Sequence, residues 1–193
     1  MIDTLIEVQR LKSLERTGWM LRGLPVGSES VADHSYGVAV AAMMLADEAR
    51  ARGAEIDSEL VLRFALLHDW AEVRVGDLPR TASLYFGSEA RKHAEDAAFT
   101  DMTAGLSETV AAKYRELHAA YERREGIESR LVKAADIIDL LVQTLAFERA
   151  GARGLDEFWD NTEGMDFKLE GPAAEVVTEA LAALAAARAN LQK

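Results

Sequence analysis

An all-α bundle is the fold class that the sequence predicts. Three observations carry it. Only three prolines interrupt 193 residues and aromatic residues make up 7 %, beside an abundance of Ala, Leu and Glu, the strong helix formers. Apolar residues recur at three- and four-residue spacing in segment after segment. No segment alternates apolar and polar residues with the period of two that a half-buried strand requires. Apolar residues at 49 % and charged residues at 28 % are an ordinary globular balance. The length fits a single domain, 1–193, with enough chain to bury a core.

The elements follow in order. Leu5, Val8, Leu11 and Leu14 place an amphipathic helix over residues 3–15. The stretch RTGWMLRGLPVGSES ends it with Gly18, Gly23, Pro25 and Gly27. Ser30, with Asp33 three residues on, makes a variant of the capping box. The helix it opens carries His34, Val38, Ala41, Leu45 and Ala49 on one face and stops at Gly53. Asp57 or Ser58 opens the helix that carries His68-Asp69, and Gly76 lies just past its end. GSEARKHAEDAAFTDMTAGL reads as a helix capped near Ser88. SETVAAKYRELHAAYERREG aligns Val110, Tyr114, Leu117 and Tyr121. IESRLVKAADIIDLLVQTLAFERAG is strongly helical, with Leu131, Ala135, Ile138 and Val142 apolar. Pro172 suits a first turn, where its missing N–H costs nothing, and opens an alanine-rich helix over 172–191. Six or seven helices in one bundle are expected, with the core over roughly residues 5–160.

Charge and composition exclude several classes. A formal charge of −11 does not attract nucleic acid or an anionic membrane. It leaves room for a small anionic substrate, because a metal and one or two arginines reverse the sign locally. The absence of cysteine removes disulfides, zinc-thiolate sites, iron-sulfur clusters and cysteine nucleophiles. The start, MIDTLIEVQRLKSLERTGW, has no unbroken apolar core of the secretory kind. No run reaches the ~18 apolar residues of a membrane span. A cytoplasmic location is expected.

His34, the pair His68-Asp69, and Asp136 stand out as polar ligand types among apolar neighbours on three helices. An unpaired carboxylate in such a place is costly and persists only with a cation or several hydrogen bonds. Taken singly, each has a plain reading: a lone helical histidine is more often a satisfied core residue than a ligand. Asp139 rivals Asp136. Two imidazoles and two carboxylates would satisfy one another around a single divalent ion, leaving two of six positions for water or substrate oxygen. Mixed nitrogen and oxygen ligands suit Mn²⁺, Co²⁺, Fe²⁺, Ni²⁺ or Zn²⁺ better than Ca²⁺; Mg²⁺ also stays open.

The pattern of His34, then His68-Asp69, then Asp136 within VKAAD resembles the HD-domain superfamily of metal-dependent phosphohydrolases. The blocks ESVADHS, LLHDWAE, GDLP and LVKAAD resemble, within it, the branch of bacterial 5'-deoxynucleotidases and their eukaryotic relatives. The resemblance implies a helical domain holding one divalent metal through His34, His68, Asp69 and Asp136. It implies hydrolysis of the 5'-phosphate of (deoxy)nucleoside monophosphates by a metal-activated water, and commonly a homodimer.

Other residues take roles beside that set. Glu72, one helical turn beyond His68, could orient the water or act as general acid or base, or accept a hydrogen bond from a ligand imidazole. Asp77 would accept a sugar hydroxyl, as the resemblance suggests, or cap the turn. Trp19 and Arg16 are candidate substrate-binding residues. The bacterial enzymes carry an arginine directly before the matching tryptophan; here Gly18 stands there. Arg16 is the expected stand-in for gripping phosphate, Arg22 the runner-up, and preference for deoxyribose is expected to be weak. Trp19 reads equally as core. Two further functions stay open: a dinuclear-iron oxygenase using His93 and His118, which read as solvated in highly charged helices, and a non-catalytic nucleotide-binding module.

Overall fold

A computed structural model describes residues 1–162 and 164–191. Its elements are α1 (Ile2–Val8), a 3-10 turn (Gln9–Lys12), α2 (Thr17–Met20), α3 (Val31–Ala51), α4 (Ser58–Leu67), α5 (Glu72–Val75), a 3-10 turn (Arg80–Ala82), α6 (Ser83–Phe86), α7 (Ser88–Thr103), α8 (Glu108–Arg123), α9 (Ile127–Arg149), α10 (Asp156–Asp160) and α11 (Gly171–Leu191). Among the described residues the fold is all-α, as expected, and extended pairing is confined to a bridge between Glu15 and Ser30. The chain forms two compact units, residues 1–35 with 66–123, and residues 36–65 with the chain from 124 onward.

Local chemistry explains where the helices begin. The capping box is made in full: Asp33 Oδ2 accepts from Ser30 N at 2.9 Å, and Ser30 Oγ accepts from Asp33 N at 3.1 Å. Asp57, rather than Ser58, opens α4, its Oδ1 accepting from the backbone of Glu59 and Leu60.

Four expectations are corrected. The helix expected over 3–15 ends at Val8 and tightens into a 3-10 turn, where the Ser13 hydroxyl takes the Arg10 carbonyl. The helix expected to run through His68-Asp69 stops at Leu67. Residues 68–71 form turns, with Trp70 N bonded to Leu67 O and Glu72 N to Asp69 O, before α5 restarts and ends at Gly76 (φ 82°). The cap of α7 is Gly87 (φ 85°) without a side-chain bond, not Ser88. Leu5, Val110 and Val142, aligned on apolar faces in the sequence, are exposed at 52 %, 40 % and 48 %.

In the first unit α7 packs on α8, α5 and α1. Trp19, Phe99, Met102, Leu117 and Tyr121 are buried there, each such side chain contributing about 1.5–3 kcal/mol. In the second unit α9 packs on α11 and α10, over Val61, Leu131, Ile138, Leu145 and Val177. Arg188 of α11 bonds Glu148 of α9 and Asp156 of α10, and stands 4.9 Å over the Trp159 ring. No helix among the described residues is long and apolar enough to cross a membrane.

Candidate active site

The first unit assembles most of the expected site. The bridge between Glu15 and Ser30 is flanked by Arg16 N to Glu29 O at 3.1 Å and Val31 N to Leu14 O at 2.8 Å. This pairing sets Arg16 beside Glu29 and starts α3, so His34 enters the interior one turn later. His34 is 1 % exposed and His68 9 %. Their rings meet edge to face at 5.6 Å, and His68 also faces Tyr121 at 5.9 Å. The turns at 68–71 bring Asp69 to the same place: its Oδ2 lies 3.0 Å from His68 Nε2 and 3.7 Å from His34 Nε2.

The 3.0 Å separation is that of ligands around a common ion, since atoms about 2.0–2.2 Å from a metal stand about 3–3.5 Å from one another, and the 3.7 Å separation is slightly wider. Oδ2 of Asp69 and Oε2 of Glu72 are buried oxygens on which no hydrogen-bond donor is aligned. His68 Nε2 and Asp69 Oδ2 are close enough for an ion pair. The donor set fits a divalent metal, and His34 and His68 belong to groups of histidine and carboxylate side chains that could hold one.

The two acids are driven in opposite directions. Burial works to raise the Asp69 carboxyl, but the nearby charges of His68, His34 and Arg16 outweigh it and hold it far below its ordinary range. Glu72, 5 % exposed, is pushed well up, first by burial and then by the negative charges of Asp69 and Asp77; Arg16 and Arg91 oppose this in part.

Arg16 lies among three acids: Nη1 is 3.6 Å from Asp77 Oδ1 and 3.8 Å from Asp69 Oδ2, and Nε is 4.0 Å from Glu29 Oε2. Asp77 accepts from Thr17 N at 2.6 Å through Oδ2, and its carbonyl from Thr17 Oγ1 at 2.6 Å, so it anchors the start of α2 beside Arg16. Trp19 is 2 % exposed and donates Nε1–H to Glu29, the core role also open to it in the sequence. Arg22 donates to the Gly18 carbonyl.

Asp136 lies in the second unit, on α9, its side chain 15 % exposed and accepting from Lys133 Nζ at 2.7 Å. Its rival Asp139 lies against Gly37 of α3, where an added Cβ would come within 2.0 Å of Oδ1. His93 is exposed, as expected. His118 is not: it is 6 % exposed, 3.0 Å from Asp96 Oδ1 through Nε2, and stacked on Phe99 at 4.3 Å. The sets that could hold an ion among the described residues include neither histidine.

Two residues of the site carried no distinguishing signal in the sequence. Glu29 is a buried acid next to the bridge, and it accepts from Trp19. Arg91 reads as one more charge in a charged helix, yet it is half-buried, bonded to Glu95 at 2.6 Å and the Leu78 carbonyl at 3.4 Å, and acts on Glu72.

Comparison with known proteins gives a consistent set of relatives. The HD-domain family matches residues 8–165. The human protein 5'-deoxynucleotidase HDDC2 is 31 % identical over 159 residues, spanning 81 % of this chain and 74 % of that protein. A solved structure of a conserved hypothetical protein from Pyrococcus furiosus is 36 % identical, with a TM-score of 0.81 over 95 % of this chain and 98 % of its own. The PH0347 protein from Pyrococcus horikoshii OT3 is 32 % identical, with a TM-score of 0.81 over 97 % and 99 %.

Proposed function

The chain belongs to the HD-domain family, and on that premise we propose that it is a metal-dependent phosphohydrolase taking the 5'-phosphate from deoxynucleoside and nucleoside monophosphates. One observation carries the reading. Oδ2 of Asp69, beside the His34 and His68 imidazoles, and Oε2 of Glu72 are buried carboxylate oxygens with no hydrogen-bond donor aligned on them, a cost that a bound cation and a proton relieve. A human relative that bears the name 5'-deoxynucleotidase supports the substrate class.

His34, His68 and Asp69 are assigned as ligands of a single divalent ion on their spacing, and Asp136 on the sequence pattern. Such an ion, when bound, supplies a Lewis acid for a phosphoryl oxygen and lowers the pKa of a coordinated water. Glu72, with its carboxyl pushed up, holds and moves the proton. Arg16 offers a cation to the phosphoryl oxygens as charge redistributes. Asp77 accepts the sugar hydroxyl, its position fixed by Thr17. Trp19 and Glu29 support the segment that presents Arg16. With Gly18 where the bacterial enzymes carry arginine, selection of deoxy over ribo substrates is weak. The two units are read as one HD domain, since the family match covers residues of both. We read the enzyme as a cytoplasmic homodimer, a reading that rests on the resemblance of the sequence to its branch of the family.

The test is phosphate release from a panel of ribo- and deoxyribonucleoside 5'-monophosphates with Mn²⁺ or Co²⁺, beside a chelated control. Release that depends on metal is the expected result. No release from any nucleotide by metal-loaded protein would overturn the assignment.

A further inference from the structure

A cavity of about 340 Å³ lies wholly within the second unit. Its lining combines four cations, Arg124, Arg130, Lys133 and Lys168, with one acid, Asp166, and two apolar side chains, Met165 and Phe167. In a chain of net charge −11, four cations against Asp166 and the Asp136 that holds Lys133 still reverse the local sign.

The backbone is committed to this arrangement. Arg124 (φ 53°) and Lys168 (φ 56°) are, among the described residues, the non-glycine positions with left-handed backbone. An L residue adopts that conformation at a cost, and such residues concentrate at ligand clamps. Arg130 joins the two: Nε donates to the Arg124 carbonyl at 2.8 Å and Nη1 to the Lys168 carbonyl at 2.9 Å. Both acceptors are neutral, so the guanidinium is fixed in place with its charge undiminished. A fixed planar cation is what a phosphate group binds best. Lys133 is held by Asp136 and Lys168 by Asp166; Asp166 is exposed, and a dianionic phosphate can displace it from Lys168. The rest of the lining is of another kind: phenylalanine is a side chain on which a flat ring stacks, and methionine adapts to its outline.

We propose that this cavity binds a nucleotide, with phosphate between Arg124, Arg130 and Lys168 and the ring against Phe167 and Met165. The apolar wall selects a nucleotide over an inorganic anion. The proposal does not rest on the phosphohydrolase reading, because binding is measured without turnover.

The experiment is calorimetric titration of the metal-loaded protein with ADP and, separately, with inorganic pyrophosphate. Lys168 is an exposed residue, so Lys168→Glu removes a cation without disturbing the core. It is expected to weaken ADP binding about tenfold or more, the range of a lost charged hydrogen bond. Phe167→Ala is expected to weaken ADP and leave pyrophosphate unchanged. Wild-type affinity for ADP in both variants, or no ADP binding at millimolar concentration, overturns the site. Equal effects of Phe167→Ala on ADP and pyrophosphate overturn its nucleoside selectivity.

Discussion

Asp69 and Glu72 are three residues apart, both are acids, and their surroundings ask opposite things of them. Asp69 faces two imidazoles and Arg16 and stays ionised; Glu72 faces burial and two negative neighbours and favours its proton. Asp69→Ala should therefore remove the metal and the activity together, with metal content by mass spectrometry and phosphate release falling in step. Glu72→Ala should retain the metal and lose about 10²–10⁴-fold in kcat, the usual contribution of a proton-transferring group. Loss of metal in that variant, with no further defect, would make Glu72 a support for the ligands. His34, His68, Asp69 and Asp136 stood out in the sequence as candidate ligands because an ionisable residue in an apolar run breaks the pattern, and the structure buries His34 and His68. Glu29 and Arg91 break no pattern. Their place depends on a backbone pairing and a helix packing that charge spacing does not encode. Trp19 was ambiguous for a related reason: a tryptophan after a glycine suits a core and a substrate wall equally.

At the scale of elements, side chains tie helices that propensity alone would leave loose. Glu7 of α1 accepts from Arg74 of α5 at 2.6 Å. The bond with Arg74 holds the Glu7 carboxyl below its ordinary value. A carboxyl with a lowered folded pKa contributes stability above its unfolded pKa and loses it as pH falls through the folded value. Arg74 is 36 % exposed, so water screens the pair. Glu7→Gln should cost about 0.5–1 kcal/mol at pH 7 and nearly nothing at pH 3, read by urea unfolding at both. Within the second unit, α3 meets Asp139 through Gly37, where a methyl group would stand 2.0 Å from Oδ1. Gly37→Ala gains helix propensity, about 1 kcal/mol, yet overpacking of about 1–3 kcal/mol should outweigh it and lower the melting temperature. The sequence showed the capping box and the Asp57 cap, because both are made between near neighbours. It did not show the break at residues 68–71. Apolar residues continue on both sides of that break, and the turn shows only in its backbone bonds, Trp70 N to Leu67 O and Glu72 N to Asp69 O.

The whole molecule couples its ligands to its stability. If the ion binds only the folded state, chelation should lower the melting temperature by an amount that grows with the metal present beforehand. At one hundred times the dissociation constant the effect is about 2.7 kcal/mol. Identical scans with and without chelator would show that the folded chain does not hold the ion. The class of the fold was legible from composition and periodicity. The extra short elements, α2, α5, α6 and α10, were not, since a single turn leaves no repeat to detect. One of the features around α2 has a longer reach. The pairing of Glu15 with Ser30 closes a ring whose far side, residues 20–28, is mostly exposed. Arg16, Trp19, Glu29 and His34 lie at the closed side of the ring, where the Thr17–Asp77 and Trp19–Glu29 bonds also hold it, and the side chains of the exposed arc take no part in those bonds. Descendants of this chain are therefore free to lengthen, shorten or recolour that arc. Selectivity can drift from lineage to lineage there, while the inherited chemistry beneath it stays in register.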